Sequence, residues 1–405
     1  MQIILKDKNR IGEFLVLLLF LSFFFENHIL SKFYIFVFIY FIYLSRKRRF
    51  RLNFSYDFLV ISLFGCWQLF TLFWSDSYKE VETKIFFVFN LLIFSHIRIN
   101  NFTKLEKYII IVVNLISLWL LIFSFHTYLE MRDPSVFFYH ELSEVINFNA
   151  IYLSLIIASS VIFYVSNLKY THHLLYIILP TIIIILLSSK NVIVLYLIIL
   201  FYFLIKQLYL KKRIVFTLLF LLTCLIINSN FLQKRFLNLK KIDYHKVLFE
   251  DDVRDMKVPD ISIRLFQIRV TGEILKENPK IFLFGTGIGS SKFKELILQK
   301  YDKYKLTHYR KTNTFISIHN QFIYTLFELG VLGLFLLLFT FAFFILKAIK
   351  TKNTFLLVLM MIFMSLSLTE MVLERQKGII CFIFFIYISI VRNHENSNIR
   401  YKRSS

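Results

Sequence analysis

Apolar residues in this chain come in long blocks, and the polar residues collect between the blocks. A helix needs roughly 20 residues to cross a hydrocarbon layer, somewhat fewer where its neighbours thin that layer. By that measure the pattern predicts about twelve spans, over 12–25, 29–45, 56–74, 85–97, 108–125, 149–167, 174–189, 191–205, 214–231, 318–346, 355–370 and 378–391. No block alternates apolar with polar in the manner of a barrel strand, so each span is expected to be a helix. One interval breaks the rhythm, the polar stretch 232–317. A structureless connection of that length is improbable, and helices are expected inside it. The predicted architecture is an all-α polytopic membrane protein with one long, partly helical loop outside the cytoplasm. It divides into helices one to nine (1–231), the loop (232–317), and helices ten to twelve with a tail (318–405).

Composition sharpens this picture. Hydrophobic residues make up 57% of the 405, charged residues only 18%, and there are 50 Phe against 9 Gly and 4 Pro. Soluble chains carry about 45–50% apolar and about 25% charged residues. A cytosolic enzyme, a secreted disulfide scaffold and a disordered chain are therefore excluded. Cys66, Cys224 and Cys381 all lie in apolar blocks, so no disulfide framework or metal-type spacing is expected. The first block leads directly into more apolar sequence, and no cleavable signal peptide is expected. The net charge of +22 would suggest nucleic acid in a soluble protein. Here the basic residues cluster in RKRRFR (46–51), KQLYLKKR (206–213), Lys347 to Lys352 and RYKRSS at the end. Cytoplasmic loops carry such excesses, which places both termini in the cytoplasm and 232–317 on the outer face. The charge thus reads as topology; the lipid bilayer is the partner it implies, and no nucleic acid is expected.

Within the loop, ISIRLFQIRVTGEILK reads as an amphipathic helix with Ile261, Leu265, Ile268 and Leu275 on one stripe. Asn278-Pro279 ends it. GTGIGS (285–290) then spends three of the nine glycines, and a second helix is expected from Lys292 to Leu306 before HNQF opens the tenth span. The glycine run lacks a preceding strand and a following Lys-Ser/Thr, so it is no nucleotide loop. It reads as a tight turn bringing backbone N–H groups against a phosphate or a helix end.

Ionisable residues gather near the outer boundary. His319 and Asn320 stand where the loop re-enters the membrane, Arg264 lies on the loop helix, and Lys190 occupies the short turn LLSSKNV. Glu370, Glu374 and Arg375 share the last outer turn, TEMVLERQKG. Arg grips phosphate through a planar fork and Lys as a point charge, while His accepts a proton near neutral pH. Together they suit transfer from a lipid diphosphate, with cations stabilising the leaving group and His319 deprotonating an acceptor hydroxyl. Plainer readings stand beside this one. His319 could cap a helix, Arg264 and Lys190 could snorkel to headgroups, and Glu370 and Glu374 could pair with Arg375 or Lys377. Glu328, about 13 Å below His319 along a helix, reads either as functional or as a structural hydrogen-bonding acid. No metal site and no cofactor is expected, since no acidic pair shares a loop with a His at ligand spacing.

In order, these pieces resemble the bacterial O-antigen ligase and O-antigen polymerase family. Arg264, Pro279, Gly285, Gly287 and Gly289 fit the upstream half of its pattern. His319, Asn320, Gln321 and Phe322, then Glu328, Gly330 and Gly333, fit H-N-x-[FYL] followed by E-x-G-x-x-G. The resemblance covers Arg264 to about Gly378; the first 180 residues agree only in span number and sidedness. It implies a membrane-embedded type C glycosyltransferase of the inner membrane, inverting and metal-independent, working on the periplasmic face. The donor would be a glycan on undecaprenyl diphosphate, and the acceptor lipid A–core or a similar glycolipid or glycan. By the same resemblance His319 is the base and Arg264 holds the diphosphate. Where the family has a second Arg, this chain has Lys190, so either Lys190 or Arg269 completes the diphosphate site; Asn320, Gln321, Glu328, Glu370, Glu374 and Arg375 are supporting residues. A repeat-unit polymerase and a protein O-glycosylation ligase share these parts and differ in acceptor. A polysaccharide transporter or flippase would also have twelve spans, but with broken helices and charges at the bilayer midplane. The oligomeric state is not legible.

Overall fold

A computed structural model of the chain describes residues 13–25, 56–77, 102–166, 175–208, 244–250, 260–306 and 318–404, with a few further positions in 30–39 and 81–88 and Val253. The expected spans at 29–45 and 85–97 are described only at scattered helical positions, and 214–231 lies outside the described residues. Among the described residues there is no strand. The helices are α1 (Glu13–Ser22), α2 (Tyr56–Phe70, prolonged by a 3-10 turn at Thr71–Trp74), α3 (Phe102–Met131), α4 (Tyr139–Glu144), α5 (Ala150–Val165), α6 (Leu175–Leu186) and α7 (Lys190–Leu208). The loop region contributes α8 (Tyr244–Phe249), α9 (Asp260–Glu277), α10 (Pro279–Phe284) and α11 (Ser291–Lys303). After it come α12 (Gln321–Lys350), α13 (Thr354–Ser367) and α14 (Gln376–Ser404).

Three of these are long and apolar enough to cross a membrane: Tyr56–Trp74, Phe102–Met131 and Gln321–Lys350. Shorter apolar helices, α1, α5, α6 and α13, stand among them. The long helices are apolar on more than one side. On α3, Ile109, Val113 and Leu120 are buried while Ile111, Leu115, Leu118 and Ile122 form an exposed apolar row. Such a row would be an aggregation hazard in water and is an ordinary surface in lipid. The bundle packs through aromatic rings, with Phe382 of α14 edge-on to Phe341 of α12 and Phe363 of α13. At the ends that carry the basic connections, acids meet two of the cations across helices. Asp57 of α2 pairs with Lys347 of α12, and Glu106 of α3 lies 3.6 Å from Arg392 of α14.

The loop helices build a second apolar core. Ile263, Phe266, Val270 and Ile274 of α9 pack with Phe293, Ile297 and Tyr301 of α11 and with Tyr324 and Phe327 at the start of α12. This corrects the expected stripe. Ile268 is 42% exposed, Leu265 is only half-buried, and the buried face is centred on Phe266. Apolar residues of α9 are not confined to one stripe, so periodicity alone did not decide which arc turns inward; the ring of Phe266, tilted to Tyr301 and edge-on to Tyr304, does. Asn278 separates α9 from α10 as expected, with Pro279 at the first turn of α10.

α12 is broken at Gly330, whose φ of 71° lies in the left-handed region. A break exposes carbonyls that a continuous helix would satisfy. Three in succession find partners: Thr286 N–H donates to Phe327 O (3.0 Å), Gly287 N–H to Glu328 O (2.9 Å), and the Trp67 indole to Leu329 O (3.0 Å). The fit needs backbone contact, since a Cβ on Gly285 would overlap the Glu328 carbonyl and one on Gly330 the Leu283 carbonyl. The glycine run therefore serves a helix break. Ser75 completes the joint by donating its hydroxyl to Ile288 O at 2.6 Å.

Candidate active site

Three chain segments far apart in sequence meet where the loop helices sit on the bundle. α9 supplies Arg264 and, three residues on, Gln267 on the same face. The extended segment Ile318 to Asn320 leads into α12, with Asn320 capping the helix through its side-chain oxygen and the Ile323 N–H (3.0 Å). The turn between α13 and α14 supplies Leu368 to Arg375.

Glu370 lies between the two key groups. Its Oε1 accepts from Arg264 Nη2 at 3.0 Å, and its Oε2 stands 3.4 Å from His319 Nδ1. Arg264 Nη1 donates to the Thr369 carbonyl at 2.5 Å, so both arms of the guanidinium face one turn. The His319 amide donates to Gln267 Oε1 at 3.3 Å, and Asn320 Nδ2 donates to Leu368 O at 3.0 Å. Arg264, His319 and Glu370 are each partly exposed at the side chain, at 28%, 30% and 14%. They are open to a ligand while already ordered by the protein.

Lys190 begins α7, half-buried, and its neighbour Asn191 donates to Thr369 Oγ1 at 2.6 Å. That bond brings the Lys190 turn beside the turn that Arg264 grips. A deeper layer supports the last outer turn. Gln321 donates to Glu374 Oε1 (3.1 Å) and accepts from the Leu373 N–H (2.8 Å), while Lys84 pairs with Glu374 Oε2. Both members of that pair are buried, at 0% and 4% side-chain exposure. Arg375 is exposed.

Two expected site residues are engaged elsewhere. Arg269 donates to Glu250 O (2.8 Å), Glu273 (3.2 Å) and Tyr304 (3.3 Å) and lies over the Tyr304 ring, joining α8, α9 and the end of α11. Glu328 accepts from the Gly289 N–H (2.7 Å) and the Tyr324 hydroxyl (3.1 Å), which fastens the glycine run to α12. Asp76, just past the end of α2, anchors the same run, taking the Ser291 N–H (2.8 Å) and hydroxyl (2.5 Å) at the head of α11. The Ser291 hydroxyl first, then that of Ser290 and the two amides, hold the Asp76 carboxyl down to about 2. Burial pushes the Glu273 carboxyl up, but the Tyr304 hydroxyl and Lys300 outweigh it and hold it below the ordinary Glu value. Among the described residues no group of three His, Cys, Asp or Glu has metal-binding proximity.

Sequence reasoning missed Gln267, Thr369, Asn191 and Lys84. Gln267 had a signal, being the polar residue one turn from Arg264. Lys84 had another, an ammonium at the edge of an apolar block. The Thr369 carbonyl had none, because backbone acceptors carry no residue code.

Helices of this length and lipid-type surface, with an arginine–imidazole–carboxylate cluster where the loop helices meet them, define a helical membrane protein with a polar cluster at its edge. Residues 174–338 match the family model described as O-antigen ligase, and over that region the chain is similar to that family. The matched region contains Lys190, Arg264, Arg269, His319 and Glu328 and stops before Glu370, Glu374 and Arg375. No curated protein matches the chain.

Proposed function

We propose that the protein is an inner-membrane glycosyltransferase that moves a polysaccharide from undecaprenyl diphosphate to a periplasmic acceptor, lipid A–core or a similar surface glycolipid. The supporting observation is the meeting of Arg264, His319 and Glu370 within hydrogen-bonding distance, from segments 51 to 106 residues apart. On this reading the site faces the periplasm, both termini are cytoplasmic, about twelve helices span the membrane, and the loop 232–317 covers the site.

The chemistry then follows. An acceptor hydroxyl oxygen attacks the anomeric carbon from the face opposite the diphosphate, which inverts that centre. The bond from that carbon to the diphosphate oxygen breaks, and its electron pair leaves with the diphosphate. Arg264 meets the charge that develops there, with Lys190 as a second cation. The hydroxyl proton passes to His319. Its Nδ1 faces Glu370, so Nε2 is the nitrogen left to receive it. On this reading the transfer needs no metal and no cofactor. Arg269, tied to Glu250, Glu273 and Tyr304, keeps the loop folded on this reading.

The polymerase of the same family uses the same donor chemistry and differs in acceptor. Deleting the gene and analysing carrier-linked and lipid-anchored glycan separately tests the choice. Long chains accumulating on the carrier are the expected result; single repeat units on the carrier would replace the ligase reading with the polymerase, and unchanged glycan in both pools would remove both.

A further inference from the structure

Two of the five N–H donors of Arg264, one on each terminal nitrogen, already meet the turn, so a diphosphate takes that same fork only by displacing a partner. One arm rests on a carbonyl, Thr369 O, fixed in the backbone; the other rests on the Glu370 carboxylate. The Glu370 backbone is held by its own N–H to Leu366 O at 2.8 Å, so its side chain is the part able to move. A carboxylate beside an arriving diphosphate is also a like charge. We propose that Glu370 is an exchangeable positioning residue: it neutralises Arg264 before the donor binds, yields that guanidinium to the diphosphate, and then holds the His319 imidazole as the oriented base. This rests on the reading of Arg264 and His319 given above.

The geometry accounts for each step. At 3.0 Å the Arg264 contact is a full charge-assisted bond, whereas 3.4 Å to Nδ1 is a long one. Released from Arg264, the carboxylate has His319 as its remaining partner, and the Nδ1–H bond can shorten. That bond fixes the tautomer with its lone pair on Nε2, toward the acceptor. Among the described residues, the other acid of that turn, Glu374, does not duplicate the role, being held by Lys84 and Gln321. Donor binding would thereby prepare the base, and an acceptor arriving first would meet an imidazole that Glu370 holds only loosely.

The test uses the purified full chain, inorganic pyrophosphate as the probe of the anion site, and transfer from a carrier-linked glycan as the activity. Glu370→Gln removes the competing charge, so pyrophosphate should bind about threefold to tenfold tighter than to the unaltered protein. Turnover at saturating donor should fall about tenfold or more. Glu370→Asp, which draws the charge back by one methylene, should be intermediate in both. A merely structural Glu370 would weaken binding and turnover together, and equal or weaker pyrophosphate binding in Glu370→Gln overturns the proposal. If Glu370→Gln does not fold, Glu370→Asp decides by the same criterion. Arg264→Ala separates the two readings. If it leaves pyrophosphate binding unchanged, the diphosphate site itself is misassigned; if it weakens binding while Glu370→Gln fails to tighten it, only the exchange is wrong.

Discussion

Arg264 presents both terminal nitrogens to one turn, a contact that a planar fork makes and an ammonium does not. Arg264→Ala should therefore lower donor use by about 1.5–3 kcal/mol, the worth of a hydrogen bond to a charged group. Arg264→Lys should recover only part of it, because it restores charge without the second contact. The measurement is kcat/KM for the carrier-linked donor, and full recovery by Lys would show that charge alone suffices. At this scale the sequence was informative where chemistry and motif agreed. His319 and Arg264 were expected from residue types that suit proton transfer and diphosphate, and Glu370 only as one of several supporting residues; the structure brings the three into contact. That Glu370 touches both of the others could not be expected, since nothing in the spacing of 264, 319 and 370 encodes a contact.

Between elements, the break in α12 and the glycine run are two halves of one joint. Gly330 holds a left-handed φ, and any side chain there meets the Leu283 carbonyl. Gly330→Ala should cost at least about 1–3 kcal/mol for the backbone conformation alone, read as a lower melting temperature with the loop opened to proteolysis. Asp76 clamps the other side, and its pH dependence has a definite sign. Its folded pKa, about 2, lies below the ordinary 3.8, so its stabilising effect is present above about pH 4 and is lost as pH falls toward 2. Glu273, also held below its ordinary value, acts in the same direction. Hydrogen-exchange protection over 286–303, taken relative to the intrinsic rate at each pH, should drop between pH 5 and pH 3, within the reach of these depressed pKa values, and Asp76→Asn should be weakly protected at both. Equal protection at both pH values in the unaltered chain would show that the clamp carries no weight. The glycine positions were legible as a tight turn serving a phosphate or a helix end. The structure answers with the second, because α12 takes the N–H groups of Thr286 and Gly287 and Glu328 takes that of Gly289.

At the scale of the whole molecule, apolar block length predicted helices correctly over 56–74, 108–125 and 318–346, because the cost of unpaired backbone in lipid leaves few alternatives. Burial inside the loop was less legible. Apolar residues of α9 are spread among polar ones beyond a single stripe, and the choice of face depends on aromatic partners more than twenty residues away. The buried pair Lys84–Glu374 links the region of the fourth block to the last outer turn and so braces the site from below. Lys84→Met should strand a buried carboxylate and cost about 3–5 kcal/mol, whereas Lys84→Met with Glu374→Met should regain most of it. Thermal melting of the single and double variants checks this; equal losses in both would mean that the pair is not a brace. The central claim is that one site, assembled from distant segments, transfers glycan with His319 as its base. It is tested most directly by reconstituting His319→Ala with carrier-linked glycan and acceptor. The account predicts transfer reduced by about a hundredfold or more at an unchanged melting temperature, and transfer at the unaltered rate would contradict it.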